Sequence, residues 1–321
     1  TNQLRDNVNR IIANGLVSYK PLKWLAVDYR FGIDNYSDFR RYTAPGPKGV
    51  VDEIVYEDNG LGFVNEQRIG NRIINSNLIV SANNDWSEKF NTVLRVGHDV
   101  QDYKSHSLTA DGQELDIPDL LTLNNTKFRT ASEALSRSRL VSVFGDLTMS
   151  WDNYLFLTVT ARNEWTSTLT IGNNSFFYPS VSLSYVFSDM LDLPSWINFG
   201  KLRASYAEIG KGTTPYRTNS YYGTSVLQSN GQVLWTRSDS KGDVNLAPER
   251  TRTLEFGTDL KFLNNRLGLE FSWYKLNSTD QIIPVSVSPT SGYTQFILNS
   301  GELENKGIEL GLSANPVRSR D

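Results

Sequence analysis

The sequence predicts an all-β fold: an antiparallel, up-and-down transmembrane β-barrel, of which about eleven strands are present. Three observations predict it. Apolar and polar residues alternate with period two in segment after segment. The connections between those segments alternate short and long along the chain. Aromatic residues gather beside the short connections.

The alternation can be followed in order. Two weaker runs, 11–20 and 73–84, supply one early strand each. Leu25, Val27, Tyr29, Phe31 and Ile33 alternate with Ala26, Asp28, Arg30 and Gly32. Leu94, Val96 and Val100 alternate with Arg95, Gly97 and Asp99, and Val141, Val143, Leu147 and Met149 with Ser142, Phe144, Asp146 and Thr148. In YLFLTVTAR (154–162), Leu155, Leu157, Val159 and Ala161 point one way, and Phe156, Thr158, Thr160 and Arg162 the other. Val181, Leu183, Tyr185 and Phe187 oppose Ser180, Ser182 and Ser184; Leu202, Ala204 and Tyr206 oppose Lys201, Arg203 and Ser205. Three more runs centre on Leu254–Phe262, Leu267–Tyr274 and Ile308–Leu312. Successive strand residues face opposite sides, so each run has one dry face and one wet face. The dry rows carry no charge. The wet rows carry Asp28, Arg30, Arg95, Asp99, Asp146, Arg162, Lys201, Arg203, Glu255, Asp259, Lys261, Glu270 and Glu309.

The connections assign the dry face to lipid. PLK (21–23), DWSEK (85–89), WDN (151–153) and LNNR (263–266) are short, and 188–198 is a compact turn with room for one helical turn. The stretches 35–69, 104–136, 211–250 and 279–301 are long, and 165–177 is intermediate; the first holds Pro45, Gly46, Pro47 and Gly49. In an up-and-down sheet every second connection lies at the same end. Membrane barrels trim one end and elaborate the other, whereas soluble sandwiches carry loops at both. Tyr19, Trp24, Trp86, Phe90, Trp151, Tyr154, Phe187, Trp196, Phe199 and Phe262 flank the short turns, as expected of a girdle at headgroup level.

Composition narrows the function classes. A net charge of −3 gives no concentrated basic surface for nucleic acid. The absence of cysteine excludes disulfides and thiolate metal sites. His98 and His106 are the only imidazoles, and each is expected to be an ordinary strand or loop histidine. No run approaches the ~20 apolar residues of a membrane helix. No nucleophile–base pair, phosphate loop or calcium loop is present; GKGTTP (210–215) lacks the phosphate-loop spacing. The expectation is therefore a protein that is not an enzyme and needs no cofactor. Ligand contact is expected in the loop 214–235, where Tyr216, Tyr221, Tyr222 and Trp235 stand among Ser, Thr, Asn and Gln. That mixture suits a sugar ring, a peptide or a protein partner. Arg95, Asp99, Asp146, Arg162, Lys201, Arg203 and Asp259 are expected to line the polar interior, pairing across strands and steering a polar solute.

Five stretches, in this order, resemble the SusC/RagA family of TonB-dependent outer-membrane transporters. They are SRLVSVFGDLTMSWDNYLFLTVTARNEWTSTL (138–169), NNSFFYPSVSLSYVFSD (173–189), NFGKLRASYAEIGKG (198–212), NLAPERTRTLEFGTDLKFLNNRLGLEFSWYKLNSTDQI (245–282) and NSGELENKGIELGL (299–312). The family often has Asp where Glu164 stands and Gly where Ala207 stands. The resemblance implies a barrel of about twenty-two strands, a plug inside it, a TonB-contacting segment and a SusD-like surface lipoprotein over the outer mouth. On this reading 1–321 is part of one such barrel domain, with the plug and the remaining strands outside it. The implied function is TonB-dependent import of a nutrient, an oligosaccharide or a peptide, across the bacterial outer membrane. A passive porin or adhesin-type barrel, and a soluble all-β carbohydrate-binding module, are the alternatives.

Overall fold

A computed structural model describes residues 2–46, 61–226 and 232–315. Eleven long strands form one antiparallel sheet in which chain neighbours are sheet neighbours. They are β1 (Gln3–Leu22), β2 (Leu25–Ala44), β3 (Phe63–Asp85), β4 (Phe90–Leu115), β5 (Thr126–Trp151), β6 (Leu155–Thr166), β7 (Ser175–Val186) and β8 (Ile197–Lys211), followed by β12 (Glu249–Phe262), β13 (Leu267–Ser286) and β14 (Gln295–Ala314). Between β8 and β12 lie a two-stranded ribbon, β9 (Tyr222–Val226) with β10 (Val233–Arg237), and the two-residue β11 (Ser240–Lys241). β11 pairs in parallel with the start of β14.

Register joins the dry rows into one band. Val17, Tyr29, Leu78, His98 and Val143 follow one another across β1 to β5. Met149, Leu157, Leu183, Ala204, Phe256, Trp273 and Ile308 do so from β5 to β14. Among the described residues no second sheet or helix covers this band. Val96 is 48 %, Leu202 49 % and Ile308 68 % exposed. A soluble protein would bury such a row, because exposed apolar surface costs about 25 cal/mol per Å². Here hydrocarbon is the only solvent that suits it, and the barrel satisfies its backbone polar groups through the ladder.

The short-turn end carries the expected girdle. Phe90 and Trp151 pair with ring centroids 5.8 Å apart, as do Trp196 and Phe262. Tyr154 lies 6.2 Å from Tyr185. Trp86 Nε1 donates to Thr92 Oγ1 at 2.8 Å, which keeps its polar edge satisfied. The turns are tight for local reasons. Asp152 and Asn153 are both left-handed, with φ of 48° and 58°, in the tight three-residue connection 152–154. Leu263, Asn264 and Asn265 are left-handed too, and Asn198 Oδ1 accepts from the backbone N–H groups of Asn264 and Asn265. Lys89 donates to Asp152 at 3.0 Å, and that bond holds the ammonium above its ordinary range.

The long connections are shorter than the sequence reading placed them. The stretch 104–136 is strand except for 116–125, and 279–301 is strand except for 287–294. β2 runs on to Ala44 and β3 begins at Phe63; Pro47 and Gly49 lie outside the described residues. β2 to β5 are therefore 20–26 residues long, about twice the ~9–11 that cross a bilayer. Beyond the lipid both faces of a strand are wet. Dry–wet alternation stops there while the hydrogen-bond ladder continues, and a reading based on alternation ends each strand too early. The compact turn at 188–198 does hold one short helical turn, Phe187–Asp189.

The buried side chains that do form a core sit at the elaborated end. Leu169, Leu246, Ile282 and Ile297 cluster there, Leu246 fully buried. The segment before β12 is stitched over them: Thr170 donates to Val244 O, Asn173 to Asn245 O at 3.0 Å, and Asn299 exchanges two bonds of 2.8 Å with the Ala247 backbone. A second set, Ala44, Phe63, Val64 and Leu115, closes the β2–β3 and β4–β5 ends.

Candidate functional site: the polar face and the outer loops

The seven polar residues expected to line the interior all fall on the face opposite the apolar band, in two groups. On β4 to β7, Arg95 Nη1 lies 2.8 Å from Asp146 Oδ1 in a directly opposed pair. Arg162 lies 3.5 Å from Asp99 and 2.6 Å from Glu164, with its guanidinium 5.6 Å over the Phe144 ring. On β8 to β13, Asp259 lies 3.5 Å from both Lys201 and Arg203, and Arg203 also donates to Ser272 Oγ. Glu255 stands 3.6 Å from Arg203. Between the groups runs a neutral hydroxyl strip, in which Thr148 and Thr158 are 3.3 Å apart and Thr160 and Ser180 2.5 Å. Every cation of this set has a carboxylate beside it. The face is nearly neutral locally, and half-exposed pairs of this kind are individually worth ~0–1 kcal/mol.

Sequence reasoning assigned Glu164 no role. The structure makes it the 8 % exposed acceptor of Arg162. The signal was in the chain, since residues two apart on a strand share a face. The glycines on this face make room for neighbours. A Cβ on Gly97 would sit 2.2 Å from the Phe144 ring directly across the ladder, and one on Gly257 would sit 2.3 Å from Arg203 Nε. Gly307, expected to relieve crowding, does so against Tyr274: a Cβ there would lie 2.6 Å from the hydroxyl.

The four aromatic residues expected at the ligand site lie at the elaborated end as two pairs. Tyr216 and Tyr221 stack edge to face at 6.1 Å, with Tyr216 in a left-handed conformation at φ 66°. Tyr222 and Trp235 share one face of the β9–β10 ribbon, opposite Arg237 and Thr224. They are 65 % and 69 % exposed, a presentation that leaves their ring faces open. Residues 227–231 of the expected loop lie outside the described residues. Arg237 anchors the ribbon: its guanidinium lies 4.2 Å over Tyr293 and donates to Gly292 O. Tyr293 was not singled out from the sequence, because only the fold carries the 287–294 loop to the ribbon. Of the two histidines, His98 sits on the apolar band and His106 Nε2 lies 2.7 Å from Glu133 Oε1. Among the described residues no three His, Asp or Glu side chains converge as a metal site.

Comparison with known proteins fits this geometry. Residues 7–318 match the family model described as TonB dependent receptor-like, beta-barrel. TonB-dependent receptor P3 of Formosa agariphila is 31% identical over 198 residues, 59% of this chain and 19% of the relative. TonB-dependent receptor SusC of Bacteroides thetaiotaomicron is 26% identical over 210 residues, 62% of this chain and 21% of the relative. The chain thus spans about a fifth of the length of these curated relatives. The structure of the RagAB peptide transporter superposes with a TM-score of 0.88 at 18% identity, over 98% of this chain and 35% of that one. An uncovered apolar band, an ion-paired polar face and a family match over nearly the whole length converge: this chain belongs to the TonB-dependent receptor-like β-barrel family of the bacterial outer membrane.

Proposed function

We propose that the protein imports a nutrient, an oligosaccharide or a peptide, across the outer membrane, energised through TonB and assisted by a SusD-like surface lipoprotein. The observation that carries this reading is the vertical arrangement. An aromatic and hydroxyl-rich crown with Tyr216, Tyr221, Tyr222 and Trp235 stands over a polar face whose charges are internally paired. Capture belongs to the crown, where ring faces and amide or hydroxyl donors recognise sugar or peptide backbone. Passage belongs to the face beneath, which offers hydrogen bonds without a deep trap. An open sheet leaves two strand edges, which lipid does not tolerate. Closure takes further strands, in line with a barrel of about twenty-two. Similarity to a structure named as a peptide transporter supports the peptide class, and the relatives named TonB-dependent receptors support energising through TonB.

The test uses the full-length protein in cells. Uptake of labelled oligosaccharide and peptide pools is followed with the inner membrane energised and then de-energised. Uptake that stops on de-energising, and that Tyr222→Ala with Trp235→Ala reduces at least several-fold at unchanged protein level, supports the proposal. Uptake that continues without energy makes the protein a passive porin.

A further inference from the structure

A group of cations stands on the outward, lipid-side face, apart from the polar interior. Arg72 on β3, Lys104 on β4 and Arg137 on β5 are successive partners across the ladder, so their side chains share that face. Arg139 lies one rung below Arg137, opposite Asp102. Asp102 is 7 % exposed and is the central acid of the patch: its Oδ2 accepts from Arg137 at 3.1 Å and from Arg139 at 2.9 Å and 2.6 Å. The nearest other acid on this face, Glu133, is engaged by His106. Arg72 Nε is buried without a hydrogen-bond partner, and no ion pair joins Lys104 to a carboxylate among the described residues. Four cations thus stand around one carboxylate, whereas Arg95, Arg162, Lys201 and Arg203 of the interior each have a carboxylate beside them.

Height explains why this excess is tolerated. From Phe90 in the short-turn girdle to Val100, the strand climbs ten residues, about 33 Å along its axis. At a tilt of about 40° that rises about 25 Å, the height of the apolar band of a membrane barrel. Val100 opposes Val141, and Val141 opposes Trp165, an exposed tryptophan at the band's upper rim. Asp102, Lys104, Arg137 and Arg139 lie two to four residues further along, about 5–10 Å above that rim. That is headgroup level on the side of the elaborated loops.

We infer that this patch binds the phosphate of an outer-leaflet lipid headgroup. Its acyl chains would lie on the apolar band below, along Phe31, Val100 and Val141, one rung beneath Asp102. The two arginines are held by Asp102 with outward N–H groups to spare, and Lys104 adds a mobile charge. Planar guanidinium forks with a neighbouring ammonium match a phosphate monoester. The inference rests on the elaborated end facing outward, which surface labelling at position 171 decides separately.

The experiment extracts the full-length protein from its own outer membrane in mild detergent and measures co-purified phosphorylated glycolipid by native mass spectrometry. Each cation at a charged membrane surface is worth about fivefold in affinity. Arg72→Gln with Lys104→Gln is therefore expected to lower bound lipid at least tenfold. Lys20→Gln with Lys23→Gln, at the opposite end, leaves it unchanged. Enzymatic removal of the lipid phosphate brings the unaltered protein down to the level of the double variant. Heat-modifiable migration in gels confirms that variants are folded; should the double variant fail this check, Lys104→Gln alone carries the test with about a fivefold loss. Equal lipid retention by the unaltered protein and the folded variant overturns the inference. So does stripping of the lipid by millimolar inorganic phosphate, which marks a site for free anions, or loss of a co-purifying acidic protein in place of the lipid.

Discussion

A single arginine moved along β6 tests the lipid assignment by depth. Leu155 begins the strand at the short-turn girdle, and Trp165 marks the upper rim ten residues on. With about 25 Å of hydrocarbon between them, each residue climbs about 2.5 Å. Val159, four residues up, lies about 10 Å above Leu155 and within ~3 Å of the midplane. It is 40 % exposed on the band, between Leu147 and Val181. Val159→Arg is expected to cost about 2–4 kcal/mol, and Leu155→Arg, at the rim, about 0–1 kcal/mol. Thr160→Arg changes the next residue, which points into the wet interior, and is expected to cost under about 1 kcal/mol. The assay is guanidinium unfolding of the full-length protein in liposomes, read by tryptophan fluorescence. A difference of 3 kcal/mol between Val159→Arg and Leu155→Arg is about 150-fold in the folding equilibrium. If a protein core covered this row, both arginines would be buried against side chains and would cost similar amounts. Equal penalties for the two would falsify the membrane assignment.

Three further outcomes follow from the same structure. The chain has no cysteine, so Ile171→Cys, at a position 99% exposed in the β6–β7 connection, is expected to react with an impermeant maleimide on intact cells, while Asn264→Cys in the opposite turn reacts only after lysis; the reverse pattern inverts the topology. Gly97→Leu drives a side chain into the Phe144 ring and should cost about 1–3 kcal/mol, seen as a lower Tm in detergent. Adding Phe144→Ala should recover most of that loss, and no recovery would show that crowding is not the cause. Arg162→Met leaves Glu164, 8 % exposed, without its cation and should cost about 1–3 kcal/mol; adding Glu164→Leu should regain part of it, and an unchanged Tm in the single variant would show that Arg162 is not what satisfies Glu164.

The number of long strands, their sequence and their two faces could be read from the chain, because a strand between lipid and water must alternate residue by residue; the short β9, β10 and β11 could not. YLFLTVTAR shows it in nine residues, and the girdle beside the short turns follows from the preference of tryptophan and tyrosine for headgroups. Strand ends were not legible. At Lys104–Leu115 and Thr126–Ser136 both faces are wet, so β4 and β5 look like loop while their backbones remain paired. Register was not legible either, and register places chemistry. It sets Arg95 against Asp146, Gly97 against Phe144 and Asp102 against Arg139, residues 37–51 positions apart. The fold of the 287–294 loop brings Tyr293 under Arg237. Composition and period determine which side of a strand a residue occupies. Only the pairing of one strand with the next determines which residue stands across from it, because that choice is made by the whole sheet at once.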